Sequence, residues 1–282
     1  MLLIALAMPS VVLLLLINLY PLGYAGLQSV RDGDLIAPGK FVGLENYAYV
    51  LGQPSFLRAV LFTLVFTIVG VFGSWLVGLG FALLLQTVIP ARPLFKTLLL
   101  LPWVVPIVVT TTAWNFLVAT PQSLLPAIGQ ALGFPSALFL ADPVLAQITV
   151  CMYKVWVSFP FMMMMTSSAL ASVDTNVYEA AKVDGATRWQ TFRKITLPLI
   201  ARPTYVSWVL MTIFCVNDFP TIYLLTQGGP TGATTTLVVL AYQTVFQNFQ
   251  VGHGVAIAFL MTTALILVSV VLFRQIRKAH IE

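Results

Sequence analysis

Residues 59–91 read AVLFTLVFTIVGVFGSWLVGLGFALLLQTVIPA and contain no charged side chain. Strands are usually about ten residues or shorter, whereas a helix crosses the hydrocarbon core of a bilayer with about 20 predominantly apolar residues. The stretch is therefore read as a membrane-spanning helix. Within it Gly70, Ser74, Gly78 and Ala82 recur every four residues and line one face with small side chains. In lipid, where close packing replaces the hydrophobic drive, such a face lets another helix approach closely. That neighbour can belong to this chain or to a partner.

The same signature repeats on both sides. Apolar runs cover Leu2–Gly26, Thr97–Ala119, Pro143–Ala171 (interrupted by Lys154), Pro203–Leu225 (interrupted by Asp218) and Val251–Phe273. With Ala59–Ala91 these make six candidate spans. The uncharged stretch from Phe219 to Phe273 is cut at Gln227-Gly228-Gly229-Pro230, which reads as a turn. Thr231–Gln250 is polar enough to be a loop with a short helix. The opening Met-Leu-Leu-Ile has no Lys or Arg before Arg31, so it is read as a transmembrane anchor and not as a cleaved signal peptide.

Bulk chemistry agrees. Apolar residues make up 59% of the chain and charged residues 8%, with a mean hydropathy of +0.96. A soluble domain carries about 25% charged residues, so this surface lacks a polar shell. Cys151 and Cys215 both fall in apolar runs, and His253 and His280 lie far apart without a Cys partner. Neither a disulfide framework nor a zinc site is readable. Met162 to Met165, after Phe159-Pro160-Phe161, read as packing residues of the fourth span.

Six spans put both ends on one side. One set of loops and tails carries Arg92, Lys96, Lys182, Arg188, Arg193, Lys194, Arg202, Arg274, Arg277 and Lys278, and the opposite set only Arg31, Lys40 and Arg58. The positive-inside rule then puts both termini in the cytoplasm, and it accounts for the net charge of +5 without nucleic acid. The expected fold class is an all-α polytopic membrane protein. It is one transmembrane domain over residues 1–282, with an outer loop at about 27–58 and a cytoplasmic loop at about 172–200.

That cytoplasmic loop differs from everything around it. Asp174 offers an N-cap, Val177 to Asp184 favours helix, and Gly185 can end it in the left-handed conformation. Thr187 can cap a second helix in which Trp189, Phe192 and Ile195 recur every three residues, and Pro198 is expected to stop it. The result is a helix–Gly–helix hairpin with an exposed Ala180-Ala181 pair. It can dock into a groove of a partner or rest on lipid headgroups.

Glu179-Ala180-Ala181, three residues, Gly185, nine residues, then Ile195-Thr196-Leu197-Pro198 resembles in full the EAA loop of binding-protein-dependent ABC importer permeases. The resemblance implies the type I importer permease fold and makes the hairpin a coupling helix that sits in a cleft of an ATP-binding subunit. Glu179, Ala180, Ala181, Asp184 and Gly185 are the coupling residues it marks. Phe41-Val42-Gly43-Leu44-Glu45-Asn46-Tyr47, the segment from Leu98 to Pro106, and Leu225-Thr226-Gln227-Gly228-Gly229-Pro230 resemble segments of sugar permeases of the maltose and glycerol-3-phosphate type. Those permeases usually have Gly where Gln227 stands. Unlike the maltose permease itself, the chain has no extra N-terminal helices and no large outer domain, so contacts made by those parts do not carry over. The implied substrate is an oligosaccharide or disaccharide, with glycerol-3-phosphate or a glycerophosphodiester as the alternative.

Polar residues inside a membrane are functional candidates by default. Asn217 and Asp218 lie about 22 Å into the fifth run at 1.5 Å per residue, and the resemblance puts an Asn-rich stretch facing the translocation path here. An amide and a carboxylate can accept hydrogen bonds from sugar hydroxyls. A helix–helix hydrogen bond or snorkelling to the outer interface would use the same groups. Asn115 ends the third run beside Trp114. Lys154, read as lying near the outer end of the fourth, can snorkel or face the path and attract an anionic group. Trp103, Trp114 and Trp208 read as interfacial anchors.

No Gly-x-x-x-x-Gly-Lys-Ser/Thr phosphate loop occurs; the Gly-Lys pair Gly39-Lys40 is followed by Phe41. ATP and its magnesium are therefore expected on a partner, with no cofactor on this chain. The expected assembly has a second homologous permease, two ATP-binding subunits and an extracytoplasmic solute-binding protein, in the cell membrane of a prokaryote. A self-sufficient carrier would need coupling-ion carboxylates or a repeated half, and only Asp218 is an acid within a run. An enzyme would need converging acid, base or metal ligands, and none have the spacing.

Overall fold

The computed structural model describes residues 2–34, 37, 39–87, 90–133 and 137–278, and His280 lies outside them, as do Val88 and Ile89 near the end of the second run. In chain order the helices are α1 (Leu2–Ser29), α2 (Glu45–Leu51), α3 (Pro54–Gln86), α4 (Arg92–Val104), α5 (Ile107–Val118) and α6 (Leu124–Ala131). There follow α7 (Pro143–Ala171), α8 (Thr175–Val183), α9 (Arg188–Leu199), α10 (Ala201–Val216), α11 (Phe219–Leu225), α12 (Leu237–Gln247) and α13 (Val251–Lys278). The only extended pairing among the described residues is an isolated bridge between Arg31 and Phe41.

By length and composition, four of these helices can cross a membrane: α1, α3, α7 and α13. Two bent pairs, α4 with α5 at 92° and α9 with α10 at 63°, raise the number to six if each pair counts as one span. The third apolar run is thus no straight helix. Val105 is extended, with φ −68° and ψ 135°, ahead of Pro106. A residue before proline is driven out of the helical region, so the backbone turns at that point. The fifth run is broken as well. α10 ends at Val216, and Asp218 starts α11 as its N-cap, with Pro220 in the first turn. Hydropathy spans both breaks because it does not register backbone chemistry.

The chain forms two compact units, Met1–Leu57 with Leu237–Thr263, and Arg58–Thr236 with Ala264–Glu282. In the first, the end of α1 is held by one buried amide. Asn46 Nδ2 donates to the carbonyls of Ser29 (2.9 Å) and Arg31 (2.8 Å), while the Tyr47 hydroxyl bonds Ser29 Oγ at 2.9 Å. Gly252 at the start of α13 leaves room for this, since a Cβ there would run into the Arg31 carbonyl and the Asn46 amide. This is the physical content of the Phe41–Tyr47 segment. His253 stacks on Tyr49 at 4.3 Å, a packing role. As expected, the polar segment before α13 holds one short helix, α12.

In the second unit α3 packs against α7 along the small-residue face. Ser74 and Ala82 are buried, and a Cβ on Gly78 would meet Met163 N at 2.7 Å. The neighbour that this face expects is therefore in the same chain. Leu79, Ala82 and Leu85 of α3 form a core with Met163, Ala169 and Leu170 of α7 and with Ile200. Met162 and Met163 are fully buried, while Met164 is partly exposed. Val69–Gly73 of α3 is one wide π turn. The tryptophans expected as anchors sit in aromatic clusters: Trp208 meets Trp75 edge-on at 5.2 Å and Trp114 meets Tyr153 at 5.5 Å. The indole nitrogen of Trp208 is buried without a hydrogen-bond partner in this chain.

Candidate functional site

Two polar features stand out in the second unit. The first is the hairpin of α8 and α9. Asp174 Oδ1 accepts the Asn176 N–H at 2.9 Å and caps α8. At the other end Gly185 has φ +73°, and two crossed bonds close the turn: Ala186 N–H to Ala181 O at 2.9 Å and Gly185 N–H to Lys182 O at 3.1 Å. This pairing is the Schellman stop, which satisfies carbonyls that a helix end leaves open. Thr187 then starts α9 with a reciprocal capping box. Its Oγ1 accepts the Gln190 N–H at 3.3 Å while Gln190 Oε1 accepts the Thr187 N–H at 2.8 Å.

Every turn signal in the loop is therefore used, with one correction. Ala180 is exposed but Ala181 is buried, so the alanines are not a jointly exposed pair. α9 ends at Leu199, one residue past Pro198, and the chain bends by 63° into α10, so the helix stops at Pro198 as expected; a π turn at Phe192–Thr196 precedes it. Proline lacks an N–H and crowds the carbonyl four residues back; a wider turn accommodates both. Glu179, Asp184 and Gly185 are exposed on the hairpin, and Trp189 is 65% exposed with its ring 5.6 Å from Phe192.

The second feature lies where α10 ends. Lys154 Nζ on α7 and Asp218 Oδ2 form an ion pair at 2.7 Å, with side chains 6% and 7% exposed. Asp218 also caps α11. Its Oδ1 accepts the Thr221 N–H at 3.1 Å, and its Oδ2 accepts the Thr221 hydroxyl at 2.8 Å. The ammonium stands 5.8 Å from the centre of the Phe66 ring, within cation–π range. Lys154 is the twelfth residue of α7, about 17 Å from its start, and neither lies near the helix end nor snorkels. Burial without pairing is costly for either ion, so each accounts for the other.

The remaining polar candidates are not gathered with this pair. Asn217 is exposed, and its Nδ2 donates back to Ile213 O at 2.9 Å. Asn115 donates from α5 to Leu224 O near the end of α11, at 3.3 Å. A feature outside the sequence candidates lies on the Asn217 side. Trp103 stacks on Phe161 at 5.2 Å, and Phe214 lies 5.7 Å from Phe161 and 6.1 Å from Trp103. Phe214 is 43% exposed and Trp103 37%. Phe214 precedes Asn217 by three residues, the spacing of neighbours on one helix face. The sequence signal was available in that spacing, but the rings come from three separate runs. Among the described residues no group of three His, Cys, Asp or Glu could hold a metal ion.

Among the described residues, apolar helices with proline-linked breaks, an internal ion pair and a capped polar hairpin fit a membrane-embedded subunit that presents a polar surface to a partner. The model of the family described as "Binding-protein-dependent transport system inner membrane component" matches residues 1–280, and the chain belongs to that family. It is 32% identical to the trehalose/maltose transport system permease protein MalF of Thermococcus litoralis, over 92% of this chain and 86% of that protein. It is 30% identical to the sulfoquinovosyl glycerol transport system permease protein SmoG of Agrobacterium fabrum, over 95% and 88%. Among solved structures, a chain of a bacterial ABC transporter involved in the import of the acidic polysaccharide alginate superposes with a TM-score of 0.84 at 22% identity, covering 98% of this chain and 95% of that one. That likeness shows the type I permease fold.

Proposed function

We propose that this chain forms half of the route by which a di- or oligosaccharide enters a prokaryotic cell in an ATP-driven importer. A second, homologous permease supplies the other half, a solute-binding protein delivers the sugar from outside, and two ATP-binding subunits hold ATP and magnesium. The hairpin of α8 and α9 faces the cytoplasm, as do both termini; Glu179, Ala180, Asp184 and Gly185 present it to an ATP-binding subunit, while the buried Ala181 seats α8 on this chain. The observation that carries this reading is the hairpin itself. It is a polar segment capped at both ends of α8 and at the start of α9 and carried by an otherwise apolar bundle, which is what a rigid mechanical contact with a soluble partner requires.

The carbohydrate assignment draws on the named relatives and on Asn217 with its aromatic neighbours. Aromatic faces and an amide suit a ligand with both apolar faces and hydroxyls. Asp218 and Lys154 hold the break beside Asn217, and Asn115 ties α5 to the end of α11. Because Asp218 neutralises Lys154, this lysine offers no free charge to a glycerol phosphate.

Co-purification from membranes tests the reading. Tagged wild-type chain should retain its ATP-binding subunits, and Glu179→Lys or Gly185→Asp should release them while the partner permease stays bound. Uphill sugar uptake by this chain alone in ATP-free vesicles would overturn it.

A further inference from the structure

The ion pair between Lys154 and Asp218 is unexplained by packing. Two charges taken out of water gain net stability only with good geometry and further hydrogen bonds, and an apolar pair of similar volume often does as well. What an apolar pair cannot supply is direction. The Asp218 carboxylate is held by Lys154 Nζ at 2.7 Å, by the Thr221 N–H at 3.1 Å and by the Thr221 hydroxyl at 2.8 Å. Its backbone is the point at which α10 stops and α11 starts. The residue immediately before it is Asn217.

Lys154 reaches this point through a gap prepared by the π turn of α3. A Cβ on Gly70 would lie 3.1 Å from Lys154 Cγ and 2.7 Å from Cys215 Sγ, so only glycine admits both the lysine stem and α10. Three elements from separate parts of the sequence therefore meet at one break: the wide turn of α3, the middle of α7 and the end of α10. Isolated π turns in long helices frequently mark functional positions. Each contact restrains the carboxylate, and none reaches the exposed face occupied by Asn217 and Phe214.

We propose that Lys154 is a positioning residue for transport. Acting through Asp218, it fixes the break between α10 and α11 so that Asn217 and Phe214 are presented to the passing sugar. The inference rests on the reading of Asn217 and the aromatic cluster as part of the route. Under it, the charge of Lys154 serves backbone geometry and does not recognise substrate.

The test uses the complete transporter in proteoliposomes, with its partner permease, ATP-binding subunits and binding protein. Lys154→Met should lower the maximal uptake rate by about tenfold while the half-saturating sugar concentration, set at capture by the binding protein, changes by less than about twofold. Lys154→Arg, which keeps the charge, should recover to within about threefold of wild type. Should Lys154→Met fail to assemble, the double variant Lys154→Met with Asp218→Asn decides. It leaves no orphan charge, and Asn keeps an acceptor for the Thr221 N–H, so it should assemble yet transport slowly. Wild-type uptake in either Lys154→Met or the double variant overturns the proposal.

A second readout follows the geometry directly. The rate at which a maleimide labels Asn217→Cys should change by more than about threefold when Lys154→Met is added; Cys151 and Cys215 are buried and stay silent. An unchanged rate overturns the positioning claim. Asn217→Ala separates the two ideas. If it transports as wild type, Asn217 leaves the route, and the labelling rate alone judges whether Lys154 fixes the break. If it slows transport while Lys154→Met does not, only the positioning claim falls.

Discussion

A Cβ built on Gly78 would lie 2.7 Å from the backbone nitrogen of Met163 and 2.9 Å from the carbonyl carbon of Met162. Two membrane-length helices, α3 and α7, thus touch backbone to side without an intervening side chain. The methyl group of alanine has no flexible neighbour to displace here, because the obstructing atoms are main chain. Overpacking of this kind destabilises by about 1–3 kcal/mol. Gly78→Ala should lower the thermal unfolding temperature of the purified complex. Gly80→Ala, with nothing within 4 Å of its Cβ, should leave it unchanged or raise it, because alanine favours a helix interior over glycine.

Asn46 is 4% exposed and spends both amide protons on the carbonyls of Ser29 and Arg31. Truncation to alanine leaves the buried Ser29 carbonyl and the partly buried Arg31 carbonyl without this donor, a loss of about 1–3 kcal/mol for the buried group and less for the other. Asn46→Asp keeps the shape but replaces the donor by an oxygen, and should be at least as damaging. Limited proteolysis of the loop between α1 and α2 should accelerate in both variants, and Asn46→Gln should not rescue them, because its amide sits one methylene further out.

Much of this arrangement was legible in the chain itself, for physical reasons that differ by element. The small-residue face of α3 could be read because helical periodicity puts Gly70, Ser74, Gly78 and Ala82 on one line, and the turn chemistry of Asp174, Gly185 and Thr187 is local. The breaks in α4–α5 and α10–α11 were written in Val105-Pro106 and in Asp218-Phe219-Pro220, but a count of charges over an apolar run passes over them. The Lys154–Asp218 pair lay 64 residues apart in sequence. Two lone opposite charges in two apolar runs hint at pairing, because buried charges are rarely left alone. Which face each occupies follows only from the α3–α7 packing. The aromatic neighbours of Asn217 escaped notice for the same reason, since three runs contribute one or more rings each.

Gln227 has φ +54° in the turn after α11, followed by Gly228 at φ +88°. A side chain in the left-handed region costs about 1–2 kcal/mol relative to glycine's ready access to it. Part of that is offset by the greater freedom of glycine in the unfolded chain and by the loss of the contact that Gln227 makes. Gln227→Gly should therefore be neutral to mildly stabilising, by up to about 1 kcal/mol, with transport unchanged. Thermal unfolding in detergent is the check, and a clear loss of stability would mean that the Gln227 side chain contributes more than the backbone strain removes.

Gly185 offers the sharpest test of the hairpin, because its surroundings are empty. Its φ is +73°, and a Cβ there would meet nothing within 4 Å. Within this chain a substitution therefore acts on the backbone and removes no contact of the residue itself. Alanine should strain the turn by about 1–2 kcal/mol, loosening the crossed bonds from Ala186 to Ala181 and from Gly185 to Lys182. Asparagine, which tolerates the left-handed region better than other side chains, should be accepted, and valine, branched at Cβ, should be worst. If the hairpin transmits force to an ATP-binding subunit, retention of that subunit and sugar-stimulated ATP hydrolysis should fall in the order glycine, asparagine, alanine, valine. The unfolding temperature of the membrane helices should barely move across the same series. A flat response in ATP hydrolysis would mean that neither the turn's geometry nor its contact with the ATP-binding subunit matters to coupling.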